Sequence, residues 1–595
     1  DALALLAPGS APLTYRRLRE QVEETARTLA ALGLGRGDRV ALVLPDGPEL
    51  AVAFLAATTA ATAAPLNPAL TGAEFGRLLG GLRARALVVL VGHESPARAA
   101  AAARGIPTIE LTPTPGATGC FTLGSPPSAS STPAPAPGSN DVAVVLHTSG
   151  TTGEPKRVPL THGNVCASAL ANRDAMALTP ADRCLNVTPM FHVSHLGNIV
   201  ASLAAGASLV CVPGFDATRF FGWWDAFRPT WYVAVPAMHR SILDRAPAAV
   251  DTIARCRPRF VRSGAAPLPS GMAAQLEAAF AAPVVEGYGL TETAPIVTSV
   301  PLPPRPIKPG SVGVATGCAV AVVTEDGVHL GAGERGEIAV RGPNVMGGYE
   351  DDPAANAAAF LPGGWFRTGD LGHLDADGYL FLDGRVKELI NRGGEKVAPG
   401  EVDAVLLAHP RVARAAAFAM PDERLGEEVA AAVVLGDGAR VDEAELRAFA
   451  AERLAPFKVP RRVVVVDDLP TGATGKVRRA GLAAALGLAA PTRRPVAADE
   501  PTAPRTAAER LVAGIWAEVL GREQIGVAED FLDLGGDSIL AAQVVARLQR
   551  ALRLDLSLEA FFDAPTVVAM ARVIERLLLA EPEPESPKPC APAEP

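Results

Sequence analysis

From residue 14 onward the apolar residues of this chain switch between two spacings. Leu18, Val22, Ala26 and Leu29 recur at helical intervals, and Gly37-Asp38 then leads into the unbroken apolar run Val40 to Leu44. A one-faced helix alternating with strands apolar on both sides, continued to about residue 380, predicts an α/β architecture with largely buried sheets. The chain has 595 residues, too many for one hydrophobic core, so further domains are expected. The Ala-rich stretch Val52 to Leu66 is short and contains polar residues, and reads as a buried helix. Gly116 to Asp141, rich in Pro, Ser, Ala and Thr, reads as a surface loop ahead of a strand from Val142 to Leu146.

Past residue 384 the elements become shorter. Strands are expected at Ala415 to Ala419, Val429 to Leu435 and Val463 to Val466, with a helix from Asp442 to Leu454. Ala490 to Pro504 carries Pro, Arg, Asp and Glu without apolar periodicity and reads as a linker. Thr506-Ala-Ala-Glu509 fits a capping box, Leu511, Ile515 and Val519 make one face, and Gly521 can end that helix. A helix from Ser538 aligns Leu540, Val544 and Leu548; another aligns Val567, Met570, Ile574 and Leu578. The expected bodies are therefore residues 1–383, 384–485, a linker over 486–504, a small helical bundle over 505–580 and a disordered tail over 581–595.

Composition excludes several classes. A formal charge of −9 without a basic stripe argues against a nucleic-acid partner. The seven cysteines are scattered with no C-x-x-C pair, which excludes a disulfide framework or zinc cluster and fits a reducing cytoplasm. No apolar stretch has membrane character, and the start lacks a basic-then-apolar leader, so no membrane partner is expected.

Chemistry concentrates first in His147-Thr-Ser-Gly-Thr-Thr-Gly-Glu-Pro-Lys156. In Thr148, Ser149, Gly150, Thr151, Thr152 and Gly153, glycines let backbone approach an anion while hydroxyls and amides donate to phosphate oxygens. Lys156 supplies a point charge for the outer phosphates. It is not a Walker loop, because Pro155 precedes the lysine and no Ser or Thr follows it.

This run matches the [ST]-S-G-T-T-G-x-P-K loop of the adenylate-forming enzymes, and the resemblance continues along nearly all of residues 14 to 484. Glu286-Gly-Tyr-Gly-Leu-Thr-Glu-Thr293 resembles the family segment that contacts adenine and magnesium. That resemblance places Glu286 and Gly287 at the nucleotide, stacks Tyr288 on adenine, puts Thr291 on the α-phosphate and gives Glu292 the cation. Ser263-Gly-Ala-Ala-Pro267 resembles the loop on the other side of adenine, which assigns Gly264, Ala265 and Ala266. Trp365-Phe-Arg-Thr-Gly-Asp370 resembles the segment whose aspartate takes the ribose hydroxyls, joined by Arg385. Gly384-Arg-Val-Lys387 resembles the hinge of a mobile small α+β subdomain, with Lys387 at the pivot. Thr471-Gly-Ala-Thr-Gly-Lys476 resembles the loop whose lysine reaches the acid carboxylate and α-phosphate, where a cation offsets the repulsion of two anions.

Near the other end stands Asp530-Phe-Leu-Asp-Leu-Gly-Gly-Asp-Ser-Ile539. Asp537 can cap the helix that begins at Ser538, and a helix N-terminus favours phosphate. The segment resembles the attachment site of an all-α four-helix carrier domain, which implies a 4′-phosphopantetheine arm on Ser538. Acidic neighbours Glu529, Asp530 and Asp533 suit a phosphopantetheinyl transferase with a basic face.

For the acid, Pro189-Met-Phe-His-Val-Ser-His-Leu-Gly197 carries His192 where amino-acid-activating relatives keep an aspartate for the substrate ammonium. A neutral imidazole is no partner for an ammonium, so an α-amino acid is disfavoured. Residues 230–244 and 389–399 resemble the oxalate–CoA ligase branch. Tyr288-Gly289-Leu290 and Gly264-Ala265-Ala266 depart from that branch at the acid pocket, so the resemblance does not by itself assign oxalate as the acid. His192, His195, His239 and Arg262 are candidate polar contacts.

The resemblance implies ATP- and Mg2+-dependent activation of a small non-amino acid as its adenylate. Transfer to the arm on Ser538 would follow, with a downstream synthetase or tailoring enzyme of a nonribosomal peptide or polyketide type as partner. One alternative is an acyl–CoA ligase using free coenzyme A; another is an inactive adenylation scaffold whose carrier is loaded in trans. A carboxylate reductase would require a nucleotide-binding domain after the carrier, and none is expected.

Overall fold

The computed structural model describes the chain except residues 125–135, 149–154, 269–270, 393–394, 423–424, 437, 471–476, 478, 480, 489–502, 523, 530, 532–533, 535–537, 555, 557–559, 562–563, 565 and 580–595. Ser149 to Gly153, Lys476, Asp537, most of the expected linker and the whole expected tail lie outside the described residues. The chain forms two compact units, one of residues 1–421 and 425–489, the other of 490–595 with 422–424.

In the first unit a seven-stranded sheet is parallel through its middle, from Thr108–Pro113 to Val142–His147, with antiparallel edges Phe121–Leu123 and Arg157–Thr161. A fourteen-stranded sheet has a parallel half running from Leu3–Leu6 to Val284–Tyr288. Its strands are buried on both faces: Trp231 and Phe260 join one core cluster, while Tyr232 and Val261 join another with Phe220, Trp224 and Phe280. Two-sided burial explains an unbroken apolar run such as Trp231–Ala234.

Three sequence expectations need correction here. The α/β alternation stops at Tyr288, not near 380, because Thr298–Ser299, Ser311–Ala315, Ala319–Val323, Gly336–Arg341, Trp365–Leu374 and Tyr379–Arg385 pair antiparallel. Antiparallel neighbours need only turns, whereas parallel ones need crossover helices. The helix Pro48–Ala60 ends early, and Thr62–Pro65 is a parallel strand, since burial of both elements hides the boundary in one apolar pattern. Within the expected loop, Phe121–Leu123 is a strand, with Phe121 buried against the core.

A five-stranded sheet occupies the remainder of this unit; its strands Val412–Asp422 and Gly426–Leu435 cover two of the expected ones, and Arg462–Val465 overlaps the third, ending one residue early. Asp442 caps the helix Glu443–Ala451 through Glu445 N–H.

In the second unit three helices, Ala507–Leu520, Ser538–Leu552 and Val567–Leu579, surround Trp516, Phe531 and Phe561. The Thr506–Glu509 capping box and the left-handed cap at Gly521 are both formed. The buried stripe of the first helix is Val512, Ala513 and Trp516, with Leu511 and Ile515 only half-buried, because the bulky indole sets which face turns inward. Leu578 is exposed, one turn past the last buried residue Ile574. Among the described residues no helix is long and apolar enough to cross a membrane.

One ion network joins the two large sheets. Glu350, beyond the strand Gly336–Arg341, receives Arg157 at 3.0 Å and also Arg39, both from the seven-stranded sheet. Arg157 reaches Asp351 as well, at 2.9 Å. Burial alone would raise the Glu350 carboxyl, but the two guanidiniums hold it below its ordinary 4.5. Its contribution is thus fully present above pH 4.5 and is lost as pH falls through the lowered folded value. Glu350→Gln should therefore cost about 1–3 kcal/mol at pH 7. The melting-temperature gap from the parent should narrow below pH 4.5; a gap that widens on acidification would contradict this account.

Candidate active site

Parallel strands deliver their C-terminal ends to one edge of a sheet, which is where ligands bind in such folds. Phe260–Ser263 leads there into Gly264-Ala265-Ala266, and Ala265 takes φ +65°. A left-handed backbone costs a residue with a Cβ about 1–2 kcal/mol, so this turn is held against local preference. The neighbouring strand Val284–Tyr288 carries Glu286, Gly287 and Tyr288, and its other edge pairs antiparallel with Thr298–Ser299.

Two glycines at this strand have very close neighbours, a side chain at Gly287 and backbone at Gly289. A Cβ on Gly287 would stand 2.1 Å from the guanidinium of Arg262, and one on Gly289 would stand 1.5 Å from the Pro295 carbonyl oxygen. Arg262 is buried and donates to Ser299 Oγ at 2.7 Å. Burial lowers the Arg262 pKa to about 10. Burial also pushes Glu286 up to about 7, opposed by a backbone hydrogen bond from Leu268 and by the Arg262 charge.

Tyr288 donates its phenol to Asp370 Oδ2 at 2.7 Å, and Arg385 Nε donates to Asp370 Oδ1 at 2.8 Å. The antiparallel register of Trp365–Leu374 and Tyr379–Arg385 sets Asp370 directly opposite Arg385. Two residues from two neighbouring segments thereby converge on the carboxylate of a third strand.

A single 3-10 turn, Thr291–Thr293, follows the strand. Asn344 Nδ2 donates to the carbonyls of Thr293 and Ile296 at 3.0 and 2.6 Å, and Met346 N–H donates to the Glu292 carbonyl at 2.8 Å. Glu292 is buried, and its Oε1 accepts the Tyr349 hydroxyl at 2.8 Å. Burial raises its pKa, since desolvation outweighs the hydrogen bonds that favour the anion. The Lys156 ammonium lies 4.4 Å from the Tyr349 ring centre, a cation–π contact.

Magnesium fits this donor set. Among the described residues no group of three or more His, Cys, Asp or Glu could cage a metal. One buried carboxylate, completed by phosphate oxygens and water, is how Mg2+ is commonly held.

The loop Thr148 to Lys156 joins the antiparallel strands Val142–His147 and Arg157–Thr161, and Thr148 N–H donates to the Lys156 carbonyl at 3.1 Å. Its ends are thus fixed by a hairpin. Burial, with the charges of Arg157 and Arg39, lowers His147 to about 4.

His192 occupies the N-cap position of the helix Val193–Ala204, its ring 4.7 Å from that of Phe191. This helix abuts the segment after Glu292, for a Cβ on Gly197 would stand 2.7 Å from Pro295. His195 meets Thr188 Oγ1 at 2.6 Å and His239 meets the Tyr232 hydroxyl at 3.0 Å. Burial lowers them to about 3 and about 4, so both rings are neutral at physiological pH.

Lys387 is exposed in the turn Val386–Glu388. Three residues beyond Lys476, Arg479 forks to Asp403 at 2.6 Å, the Ala417 carbonyl at 2.7 Å and Glu388 at 3.2 Å. The end of the lysine loop is thereby tied to the residue next to Lys387. Ser538 opens its helix.

Sequence reasoning missed Tyr349, Asn344, Ser299 and Arg479. Of these only Tyr349 had a local signal, the Gly347-Gly348 pair before it.

The comparisons with known proteins place this large α/β body among the adenylate-forming enzymes. Residues 1–350 match the family described as AMP-binding enzyme, and 401–476 match the AMP-binding enzyme C-terminal domain. Residues 510–574 match the phosphopantetheine attachment site. The chain belongs to the AMP-binding enzyme family and carries a phosphopantetheine carrier domain. The probable CoA ligase CCL9 of Humulus lupulus is 44% identical over 494 residues, covering 80% of this chain and 92% of that protein. The oxalate–CoA ligase of Arabidopsis thaliana is 42% identical over 488 residues, covering 80% and 94%. Among solved structures, ATP-bound MatB from Rhodopseudomonas palustris superposes with a TM-score of 0.74 at 32% identity, covering 81% of this chain and 95% of that one. This protein is an ATP-dependent, AMP-forming acid–thiol ligase that uses Mg2+ and bears phosphopantetheine on a serine.

Gly289→Ala must displace Pro295, and with it the turn that carries Glu292. Displacements near 1 Å commonly cost about 10²-fold in rate. Acid-dependent ATP–diphosphate exchange should fall by about that factor with far-ultraviolet circular dichroism unchanged; near-parental exchange would show that the contact does not position Glu292.

Proposed function

We propose that this enzyme activates a small carboxylic acid without an α-amino group and loads it onto its own carrier domain, at Ser538. The observation that carries this is the presence, on one chain, of the adenylating family's two matched regions and a phosphopantetheine attachment domain. A carboxylate oxygen of the acid attacks the α-phosphorus of ATP, the bond to the β-phosphate oxygen breaks, and diphosphate leaves. Tyr288 and the turn Gly264-Ala265-Ala266 flank the adenine, and Asp370, oriented by Arg385, takes the ribose hydroxyls. Thr291 binds the α-phosphate, while Lys156 and the loop Ser149 to Gly153 hold the outer phosphates. Glu292 holds magnesium, which supplies charge neutralisation to the phosphates. Lys476 meets the acid carboxylate and α-phosphate during this step. The arm on Ser538 supplies the thiol that accepts the acyl group as AMP departs.

Support for the acid class comes from the pocket candidates. The neutral His195 and His239 cannot compensate an ammonium, and the buried cation of the region, Arg262, would repel one. His192 and Arg262 suit an acid with a hydroxy, keto or second carboxyl group. Relatives named as oxalate–CoA and sulfoacetate–CoA ligases, 42% and 37% identical, act on small polar acids of that kind. A downstream synthetase or tailoring enzyme of a nonribosomal peptide or polyketide type then consumes the loaded carrier. Its setting is the cytoplasm, in keeping with the free thiols of Cys120, Cys166, Cys184, Cys211, Cys256 and Cys318. A second reading, ligation to free coenzyme A, is favoured by the CoA ligase names of the relatives.

Mass spectrometry of the carrier separates these readings. A broad-specificity transferase with coenzyme A should add one arm of roughly 340 Da to the parent and none to Ser538→Ala. ATP and the correct small acid should then add the acyl mass to that arm faster than they form acyl–CoA. An α-amino acid as best substrate of a broad panel, or faster acylation of free coenzyme A, would overturn the proposal.

The hinge assignment has its own test. If the small subdomain turns about Lys387 after adenylation, Lys476 leaves the site before the thiol arrives. Lys476→Ala should then lose about 10²–10³-fold in acid-dependent diphosphate release. It should still take the acyl group from presynthesised adenylate at near-parental rate. Equal losses in both steps would rule out the rotation.

A further inference from the structure

Two groups that the proposed mechanism treats separately, Glu292 and Lys156, share one side chain. The Tyr349 hydroxyl donates to Glu292 Oε1 at 2.8 Å, and the face of its ring carries the Lys156 ammonium at 4.4 Å. We propose that Tyr349 is a positioning residue that sets the cation-holding carboxylate and the phosphate-holding lysine in fixed relation; this rests on the assignment of Glu292 to the cation.

The placement of Tyr349 is over-determined. Its N–H donates to Asn356 Oδ1 at 2.7 Å, and Asn356 Nδ2 donates back to its carbonyl at 2.8 Å. The next residue, Glu350, is held by Arg39 and by Arg157, the residue that follows Lys156. Its backbone N–H also donates to the Arg157 carbonyl at 3.1 Å. The Tyr349-Glu350 pair thus anchors the descending end of the phosphate loop twice, once through each side chain. With Oε1 occupied by the phenol, the Glu292 carboxylate cannot rotate freely, and its second oxygen has a set direction before any cation arrives. Ordering a ligand in advance removes that cost from binding. A packing role would need the ring alone, whereas the hydroxyl reaches a buried carboxylate.

Phenylalanine and leucine separate the two functions. ATP affinity of the full chain would be measured by isothermal titration without acid, in EDTA and across a magnesium series. Tyr349→Phe keeps the ring, so affinity in EDTA should stay within about twofold of the parent, while the Mg2+ concentration giving half the affinity gain should rise about 10–100-fold. Tyr349→Leu should show that rise and also lose about two- to fivefold of its affinity in EDTA, as the lysine loses its platform. Glu292→Gln is the reference, expected to raise the Mg2+ requirement at least as far, and thermal melts confirm that each variant is folded. A shifted Glu292→Gln beside an unshifted Tyr349→Phe overturns the tyrosine's role alone. An unshifted Glu292→Gln overturns the cation assignment and the inference that rests on it, whatever the tyrosine variants do.

Discussion

The strand Val284–Tyr288 is bonded in parallel on one edge and antiparallel on the other, and the polar site depends on that change of partner. A parallel strand ends beside its neighbours, so its last residues are delivered to a shared edge. An antiparallel partner returns at once, so the following chain folds back over the same edge and brings Asp370 and Arg385 within reach. The change of direction demands close backbone approach. Gly287 leaves room for the Arg262 guanidinium, and Gly289 lets the Pro295 carbonyl pass.

Electrostatics follow from the burial this creates. Glu286, Glu292 and Arg262 are all charged groups withdrawn from water, and desolvation is the largest influence on each. Asp370 is balanced within the protein by Tyr288 and Arg385. Glu292 accepts the Tyr349 phenol and its own backbone N–H and feels the charge of Arg385 at longer range, yet burial still raises its proton affinity. The protein thus gives one acid a directly bonded counter-charge and the other neutral hydrogen-bond donors. That asymmetry is what a site needs if one carboxylate hydrogen-bonds a neutral sugar and the other meets a metal.

Buried histidines illustrate the opposite case. His195 and His239 are buried against the hydroxyls of Thr188 and Tyr232, and burial keeps them neutral. His192 opens its helix beside Phe191, and that helix meets the segment after Glu292 where Gly197 approaches Pro295.

Much of this was legible without coordinates. The alternating periods define the α/β half because both patterns are local, and the Thr506–Glu509 box and Gly521 cap are local too. The ordered motifs from His147 to Lys476 identify the adenylating family, since each is a short run of backbone and side-chain chemistry. Where two buried elements adjoin, as at Ala60 and Thr62, the apolar pattern could not mark the boundary. The switch to antiparallel pairing after Tyr288 was hidden as well, because pairing direction is set by connections and partners rather than by the strand's own residues. The meeting of Tyr349 with Glu292 and Lys156, 57 residues away along the chain in one case, had no trace in spacing. Sequence by itself determined the family and the order of its motifs, through local propensity and short runs of matching residues. Only tertiary structure decided which of them touch, because hydrogen bonds and desolvation act through space between segments that the chain keeps far apart.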